Sequence, residues 1–372
     1  MNEARDIVGI SVPFAAGVAM GVALYPLLSG GLPYIISSIL LILIFITTIL
    51  ARLDKFSGRW LVIAGIFLIT GIFSSLSHSI ASGIPEYESG FISSVAADAV
   101  GTLRSVIDNI PYPSESTAPL VKALLTGDKS DLTKEITGIF RDSGASHILA
   151  LSGLHLGVLY ILLARLTAPL GNSPWIRRLR YSLIIVAALF YSIMTGATPS
   201  IIRAFLFITI NETAKLLGRK REPVRVLLAA LTIQLAIRPD VITSVAFQLS
   251  YMAMAGIFLI FPTLDRIYPM PSCSKFSRFN PFRKIWSAAT LSISCQIFTG
   301  PLAWYYFHSF PKYFILTNLI ALPLTSAIMV LSVATIALSF FGICPEPLVI
   351  LNDHAMQALV FCLKIISGID ES

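Results

Sequence analysis

Runs of about twenty predominantly apolar residues recur along this chain, and that is the length an α-helix needs to cross the hydrocarbon core of a bilayer. Three lie near the N-terminus, at about 7–29, 33–51 and 59–78. After a long gap, others follow at about 146–168, 181–196, 199–217, 224–238, 241–262, 285–307, 313–341 and 346–367. A bilayer offers the backbone no hydrogen-bond partners, so such runs fold as helices. The fold class expected is therefore all-α, a polytopic membrane bundle of about eleven transmembrane helices. Composition agrees: 55% of residues are hydrophobic and only 13% are charged, about half the charged share of a soluble domain. The 224–238 run is short enough to be re-entrant, and Pro323 is a candidate kink in 313–341. The first run is too long for a signal-peptide core and ends at no small-residue cleavage site.

Loop charge orients the spans, because Lys and Arg are retained in the cytoplasm. Four loops are dense in positive charge: Arg52, Lys55 and Arg59; Arg165, Arg177, Arg178 and Arg180; Lys215, Arg219, Lys220, Arg221 and Arg225; Arg266, Lys275, Arg278, Arg283 and Lys284. With eleven alternating spans all four fall on one side, together with Arg5. The N-terminus is thus expected in the cytoplasm and the C-terminus outside. The net charge of +7 is then a topology signal. The segment 79–145, expected outside, holds nine acidic against five basic residues, so it is no basic surface for capturing nucleic acid.

Three regions are expected: transmembrane segments over 1–80, an extracytoplasmic layer of amphipathic helices over 81–145, and a transmembrane core over 146–372. In the layer, helical patterns cover about 92–109 and 117–126, separated by Pro111, Pro113 and the Ser114–Thr117 cluster. A further helix starts near Asp131, with Glu135 in its early turn and an Ile136, Ile139, Phe140 stripe suited to lying at the membrane surface. Cys273, Cys295, Cys344 and Cys362 have no metal-binding spacing. Cys273 sits in an expected cytoplasmic loop, where it stays reduced; the others are read as membrane-core residues. No P-loop, dinucleotide fingerprint or metal motif is present, so neither a cofactor nor a metal is expected.

Polar residues at membrane depth need a partner, a wet cavity or a function. The densest run is Ser146-His147-Ile148-Leu149-Ala150-Leu151-Ser152-Gly153-Leu154-His155-Leu156-Gly157. Read as one helix, Ser152 and His155 share a face, and Gly153 with Gly157 forms a close-packing seam. In Thr195–Arg203, Gly196 and Pro199 break the chain and Ser200 can cap the next helix. Arg203, one turn into that helix, either snorkels outward or faces a wet interior. Gln234, Gln248, Gln296, Asn211, Asn318 and the Asp353-His354 pair are each readable as interhelical hydrogen-bonding groups. Together, with breaks at Pro199, Pro301 and Pro323, they suggest a hydrated passage. A hydrolase using Ser152 and a histidine is disfavoured, since no Gly-x-Ser-x-Gly elbow is present.

Several ordered blocks resemble the membrane channel of ComEC-type competence proteins. They are Gly127-Asp128-Lys129-Ser130, where Lys129 replaces a usual Arg; Phe140–Gly144 with Ser146-His147 and Leu149–Gly157; Gly196, Pro199-Ser200 and Arg203-Ala204; Phe247–Ser250; and Gln296, Pro301, Phe307, Asn318 and Pro323. The resemblance spans residues 117–325. It implies a non-enzymatic channel in the cytoplasmic membrane that passes single-stranded DNA during transformation. His147, Ser152, Gly153, His155, Arg203 and Gln248 would line its path, and Gly127, Asp128, Lys129 and Ser130 its mouth. Gly157, Gly196, Pro199, Pro301 and Pro323 would shape the helices. Apart from the surrounding lipid, the partners implied are a DNA receptor, a nuclease and a cytoplasmic ATPase or helicase. Family members usually carry an OB-fold domain, where this chain has about ten residues near Ala81–Gly90, and many end in a metallo-β-lactamase-like domain. On this resemblance the chain corresponds to the channel core. A channel or transporter for another polar or anionic substrate is the alternative.

Overall fold

The computed structural model describes residues 2–28, 32–52, 59–81, 90–268, 281–308 and 312–368. Every regular element among them is helical: sixteen α-helices and three short 3-10 turns. Of the loop residues named above, Lys55, Cys273, Lys275 and Arg278 lie outside the described residues. The helices group into two compact units, one formed by 1–89 with 209–251 and the other by 90–208 with 252–372. This partition draws its boundaries elsewhere than the three regions expected from sequence, since 209–251 associates with the N-terminal helices.

The first unit contains α1 (Asn2–Leu24), α2 (Leu32–Arg52), α3 (Arg59–Ala81), the end of α10 (Pro199–Leu216), α11 (Pro223–Ile237) and the start of α12 (Val245–Leu259). Its α1 and α3 touch backbone to backbone through glycines on both helices. A Cβ added at Gly17 would fall on the Leu68 carbonyl, one at Gly71 on the Phe14 carbonyl, and one at Gly21 within 2.8 Å of Ser75 Cβ. Close approach maximises dispersion where no hydrophobic effect drives helix association in lipid. Gly71→Leu is expected to lower the stability of the detergent-solubilised protein by roughly 3 kcal/mol. Gly65→Leu, which points into open space, should leave it unchanged; thermal unfolding followed by circular dichroism checks the pair.

The second unit contains α4 (Gly90–Asp108), α5 (Thr117–Thr126), α6 (Lys134–Asp142), α7 (Ser146–Leu149), α8 (Gly153–Leu166), α9 (Pro174–Met194), the start of α10, the end of α12, α13 (Phe261–Arg266), α14 (Pro281–Phe307), α15 (Phe314–Phe340) and α16 (Glu346–Gly368). Its core corrects the expectation of a surface layer. Thr117 and every residue from Leu120 to Thr126 are buried, so α5 is an interior helix. The stripe of α6 is covered as well: Phe140 is fully buried, and Ile136 and Ile139 pack on the same core as Leu359 and Leu363 of α16. The apolar face that sequence alone assigns to lipid is satisfied by protein.

Six stretches are long and apolar enough to cross a membrane: Ile7–Leu27, Leu61–Ala81, Gly153–Leu170, Val245–Arg266, Phe314–Phe340 and Glu346–Gly368. The other expected spans form helices α2, α9, α10, α11 and α14, but they lie outside this set. Arg177, Arg178 and Arg180 enter α9, while Arg203, Glu212 and Lys215 lie in α10. Among the described residues, length and apolarity therefore mark six candidate spans, and this criterion does not confirm the expected count of about eleven. Two expected breaks are absent: α14 runs through Pro301 and α15 through Pro323. A proline removes one donor and crowds the preceding turn, which a helix packed among others accommodates without interruption.

Candidate functional site

The run expected to be one span from 146 is interrupted, and the interruption builds the site. The four-residue α7 stops at Leu149, and Ala150 turns extended. Ser152 is extended too (φ −124°, ψ 167°) and is the N-cap of α8. Its Oγ accepts a hydrogen bond from the Leu154 N–H at 3.3 Å. His155, at the third helical position, reaches back so that its Nδ1 accepts the Ser152 N–H at 3.1 Å. This is a capping box with histidine in the place usually held by Glu or Gln. Ser152 and His155 are thus not two residues on one helix face, as their spacing suggested. They are the reciprocal halves of a helix start.

The box dictates the imidazole's chemistry. A ring whose Nδ1 accepts a backbone N–H carries its own proton on Nε2 when neutral. His155 is 1% exposed, and its Nε2 is buried without a hydrogen-bond partner among the described residues. Ser152 Oγ also lies 3.1 Å from Nδ1, but that lone pair already receives the backbone N–H.

Gly153, the first residue of α8, is where the next sequence block arrives. A Cβ there would meet Arg203 Nη2 at 3.0 Å, Ala204 Cβ at 3.2 Å and the Ser200 carbonyl at 3.8 Å. The guanidinium of Arg203, itself buried, thus rests over the α8 N-terminus. It does not snorkel outward. At Gly157 an added Cβ meets nothing within 4 Å, so the close approach expected of the Gly153/Gly157 pair is confined to Gly153. The turn before α10 places Gly196 (φ 77°) and Ala197 (φ 49°) in the left-handed region. Pro199 opens α10, and the Thr198 carbonyl accepts from Ile201 and Ile202 N–H. Thr198, not Ser200, therefore holds the cap position.

The Gly127–Ser130 segment is a rigid terminus of the interior helix. Gly127 ends α5 in the left-handed conformation (φ 77°), and its bare Cα faces Leu151, whose Cδ1 would lie on any added Cβ. The expected mouth is thereby packed against the α7–α8 break. Asp128 Oδ1 accepts the Ser130 N–H at 3.0 Å and pairs with Arg104 of α4 at 3.0 Å. Buried Lys122 bridges Asp108 at 2.6 Å and Asp131 at 2.8 Å; Lys129 remains exposed.

The ionisation of these groups follows their contacts. Hydrogen bonds from Ser130, then Arg104, hold the Asp128 carboxyl below the usual carboxylate range. The Lys122 ammonium does the same for Asp131, and Asp108 followed by Asp131 raises Lys122. A lowered carboxylate contributes stability above its unfolded pKa and loses it as pH falls; a raised lysine contributes until pH climbs past its folded value. Amide protection in 104–131, taken relative to the intrinsic exchange rate at each pH, is expected to stay high at neutral pH and to fall below about pH 4; hydrogen-exchange mass spectrometry in detergent checks it.

His147 sits on α7, with Nδ1 3.1 Å from the Gly144 carbonyl. Its side chain is exposed, with Asn318 of α15 beside it. The Asn318 Oδ1 is buried and lacks a hydrogen-bond partner among the described residues, while its neighbour Thr317 ties α15 to the Ser143 carbonyl at 2.7 Å. Gln248 belongs to the first unit, where its Nε2 donates to the Ile242 carbonyl at 2.9 Å.

The Asp353-His354 pair, read from sequence as an interhelical hydrogen-bonding group, belongs to a larger constellation. Asp353, buried in α16, accepts from Ser114 N–H at 3.2 Å, Ser114 Oγ at 2.8 Å and Thr117 Oγ1. Next to it Asn352 donates to Ser332 Oγ at 3.1 Å, and Gln357 donates to Ser116 Oγ at 3.0 Å. One face of α16 thus anchors the start of α5. The only sequence signal was an acid within an apolar run. Among the described residues no group of His, Cys, Asp or Glu could hold a metal ion.

Comparison with known proteins bears on this arrangement. The chain is similar to the uncharacterized protein YcaI of Escherichia coli (strain K12), 28% identical over 280 residues, which are 73% of this chain and 35% of that protein. It is similar to ComE operon protein 3 of Bacillus subtilis (strain 168), 26% identical over 216 residues, 58% of this chain and 25% of that protein. It also matches recombination protein 2 of Haemophilus influenzae, 25% identical over 218 residues, 57% of this chain and 27% of that protein. The chain therefore spans about a third or less of the length of these relatives. No solved structure shows a significant match. The profile of the competence protein family matches residues 124–372, which include Gly127–Ser130, the α7–α8 break, Arg203 and Asn318. On that match, over more than half of its length, the chain belongs to the competence protein family.

Proposed function

We propose that this chain is the channel core of a DNA-uptake system, passing single-stranded DNA across the cytoplasmic membrane during natural transformation. The observation that carries the reading is the α8 N-terminus, where Gly153 meets the Arg203 guanidinium beside the Ser152–His155 box, inside the residues that match the competence family. A helix N-terminus and a guanidinium both favour anions, and a strand crossing a membrane must exchange its hydration for such donors. His147 and Asn318, side by side, supply hydrogen-bonding groups of the kind that bases accept. The Gly127–Ser130 segment would lie further along the path. The chain would cross the membrane about eleven times, with α2, α9, α10, α11 and α14 completing the six apolar spans, its N-terminus in the cytoplasm and its C-terminus outside. Energy would come from a separate ATPase or helicase, and strand capture and degradation from a separate receptor and nuclease. No catalysis is assigned: the Ser152–His155 contact serves the helix start, and a fluorophosphonate probe should not label Ser152.

Cells lacking the gene should lose uptake of fluorescent DNA. Complementation by Arg203→Ala or His155→Ala should restore less than a tenth of it, at normal membrane levels of protein. Normal transformation in all three strains would overturn the reading. Loss of a different solute flux, with DNA uptake intact, would favour a channel for another polar or anionic substrate.

A further inference from the structure

The turn joining α8 to α9 carries four arginines, and the structure separates them into two kinds. Arg180 is committed to the turn: its Nη2 donates to the Thr167 carbonyl at 2.8 Å and the Gly171 carbonyl at 2.9 Å. Ser173 caps α9 and Pro174 opens it, so this connection is held in one shape. Arg165, Arg177 and Arg178 are exposed, and no ion pair or hydrogen bond engages their side chains among the described residues. Beside them, three large apolar side chains stand equally open: Leu166 at 65%, Leu170 at 56% and Trp175 at 70% exposure. All six residues sit where the apolar stretch Gly153–Leu170 ends.

A topology signal needs only charge, and a nucleic-acid contact needs charge with planar stacking groups. Neither requires leucines in the open beside unpaired arginines. That combination matches one class of ligand, an anionic phospholipid, whose phosphodiester takes the guanidinium forks while its acyl chains cover the leucines. Trp175 marks the same depth, because indoles settle at the headgroup boundary.

We propose that Arg165, Arg177 and Arg178, with Leu166, Leu170 and Trp175, form a binding site for an anionic phospholipid at the α8–α9 turn. The site fixes the depth of α8 in the bilayer. It is independent of what the channel carries.

The test uses the full chain with Trp60, Trp286 and Trp304 changed to Phe, reconstituted in phosphatidylcholine vesicles. Bromine-labelled phosphatidylglycerol or bromine-labelled phosphatidylcholine is added at equal mole fraction, and quenching of Trp175 is measured. Phosphatidylglycerol should quench at an at least tenfold lower mole fraction, given an attraction of about fivefold per arginine near a surface. The R165Q/R177Q/R178Q variant should lose that preference but keep quenching by both lipids. The R165K/R177K/R178K variant should keep most of it. Equal quenching by the two lipids in the parent, no quenching by either, or a preference that survives the glutamine variant would each overturn the assignment. Relief of the quenching by a short oligothymidylate would overturn it in favour of a nucleic-acid contact.

Discussion

Gly127→Val should prevent a stable second unit from forming. The glycine adopts φ 77° at the end of α5, a region that costs an ordinary residue about 1–2 kcal/mol and a β-branched one more. A side chain there would also overlap Leu151, and both neighbours are set by a buried helix and by the α7–α8 break. Together these terms come to about 3 kcal/mol or more, the overpacking cost included. The expected result is little folded protein in the membrane fraction and early aggregation on detergent extraction. Gly196→Ala provides the contrast: that glycine is also left-handed (φ 77°) but has nothing within 4 Å of an added Cβ, so only the smaller conformational cost applies. If both variants accumulate like the parent, the packing of the Gly127–Ser130 segment against Leu151 is wrong.

Asp353→Ala should be nearly as damaging, for an electrostatic reason. The carboxylate accepts three hydrogen bonds from Ser114 and Thr117, and it faces the start of α5, where a helix favours negative charge. Its removal leaves buried donors unsatisfied, at about 1–3 kcal/mol for each that finds no substitute. Thermal unfolding in detergent should show a loss of roughly 3 kcal/mol, with protease cleavage near Pro111–Ser116 appearing first. Asp353→Asn, which keeps one acceptor oxygen, should fall between the two. Parent-like stability for the alanine variant would remove α16 as the anchor of α5.

Much of the architecture was legible in the sequence, and its limits have physical causes. Six spans could be bounded because a bilayer demands unbroken apolar length, and Ile7–Leu27 or Glu346–Gly368 leaves little choice. The start of α6 was legible only approximately: the helix begins at Lys134, capped by Thr133 accepting the Ile136 N–H, not near Asp131. The misplacement of α5 arose because amphipathic patterning says only that a face must avoid water. It does not say whether lipid or protein covers that face. Ser152-x-x-His155 was ambiguous for a related reason: a spacing of three is shared by one face of a helix and by the two halves of a capping box. Only the backbone at Ala150 and Ser152 separates the two. Asp353 and Ser114 are 239 positions apart, so no local pattern could pair them. The close packing at Gly17 and Gly21 was not singled out from sequence, since its partner Gly71 lies on α3.

The site itself was legible as a set of residues more than as an arrangement. His147, Ser152, Gly153, His155 and Arg203 were singled out because polar groups in apolar runs demand an explanation. The structure brings Ser152 to His155 and Gly153 to Arg203, sets His147 beside Asn318, and leaves Gln248 in the other unit.

The central claim is that DNA passes along a path lined by His147. A photo-cross-linking amino acid placed at 147 in cells taking up radiolabelled DNA tests it most directly, with the same group at Phe361, an exposed position on the apolar helix α16, as control. The account expects a DNA adduct at 147 that requires illumination and active uptake, and none at 361. Uptake that proceeds normally with no adduct at 147, or with equal adducts at both positions, would contradict it.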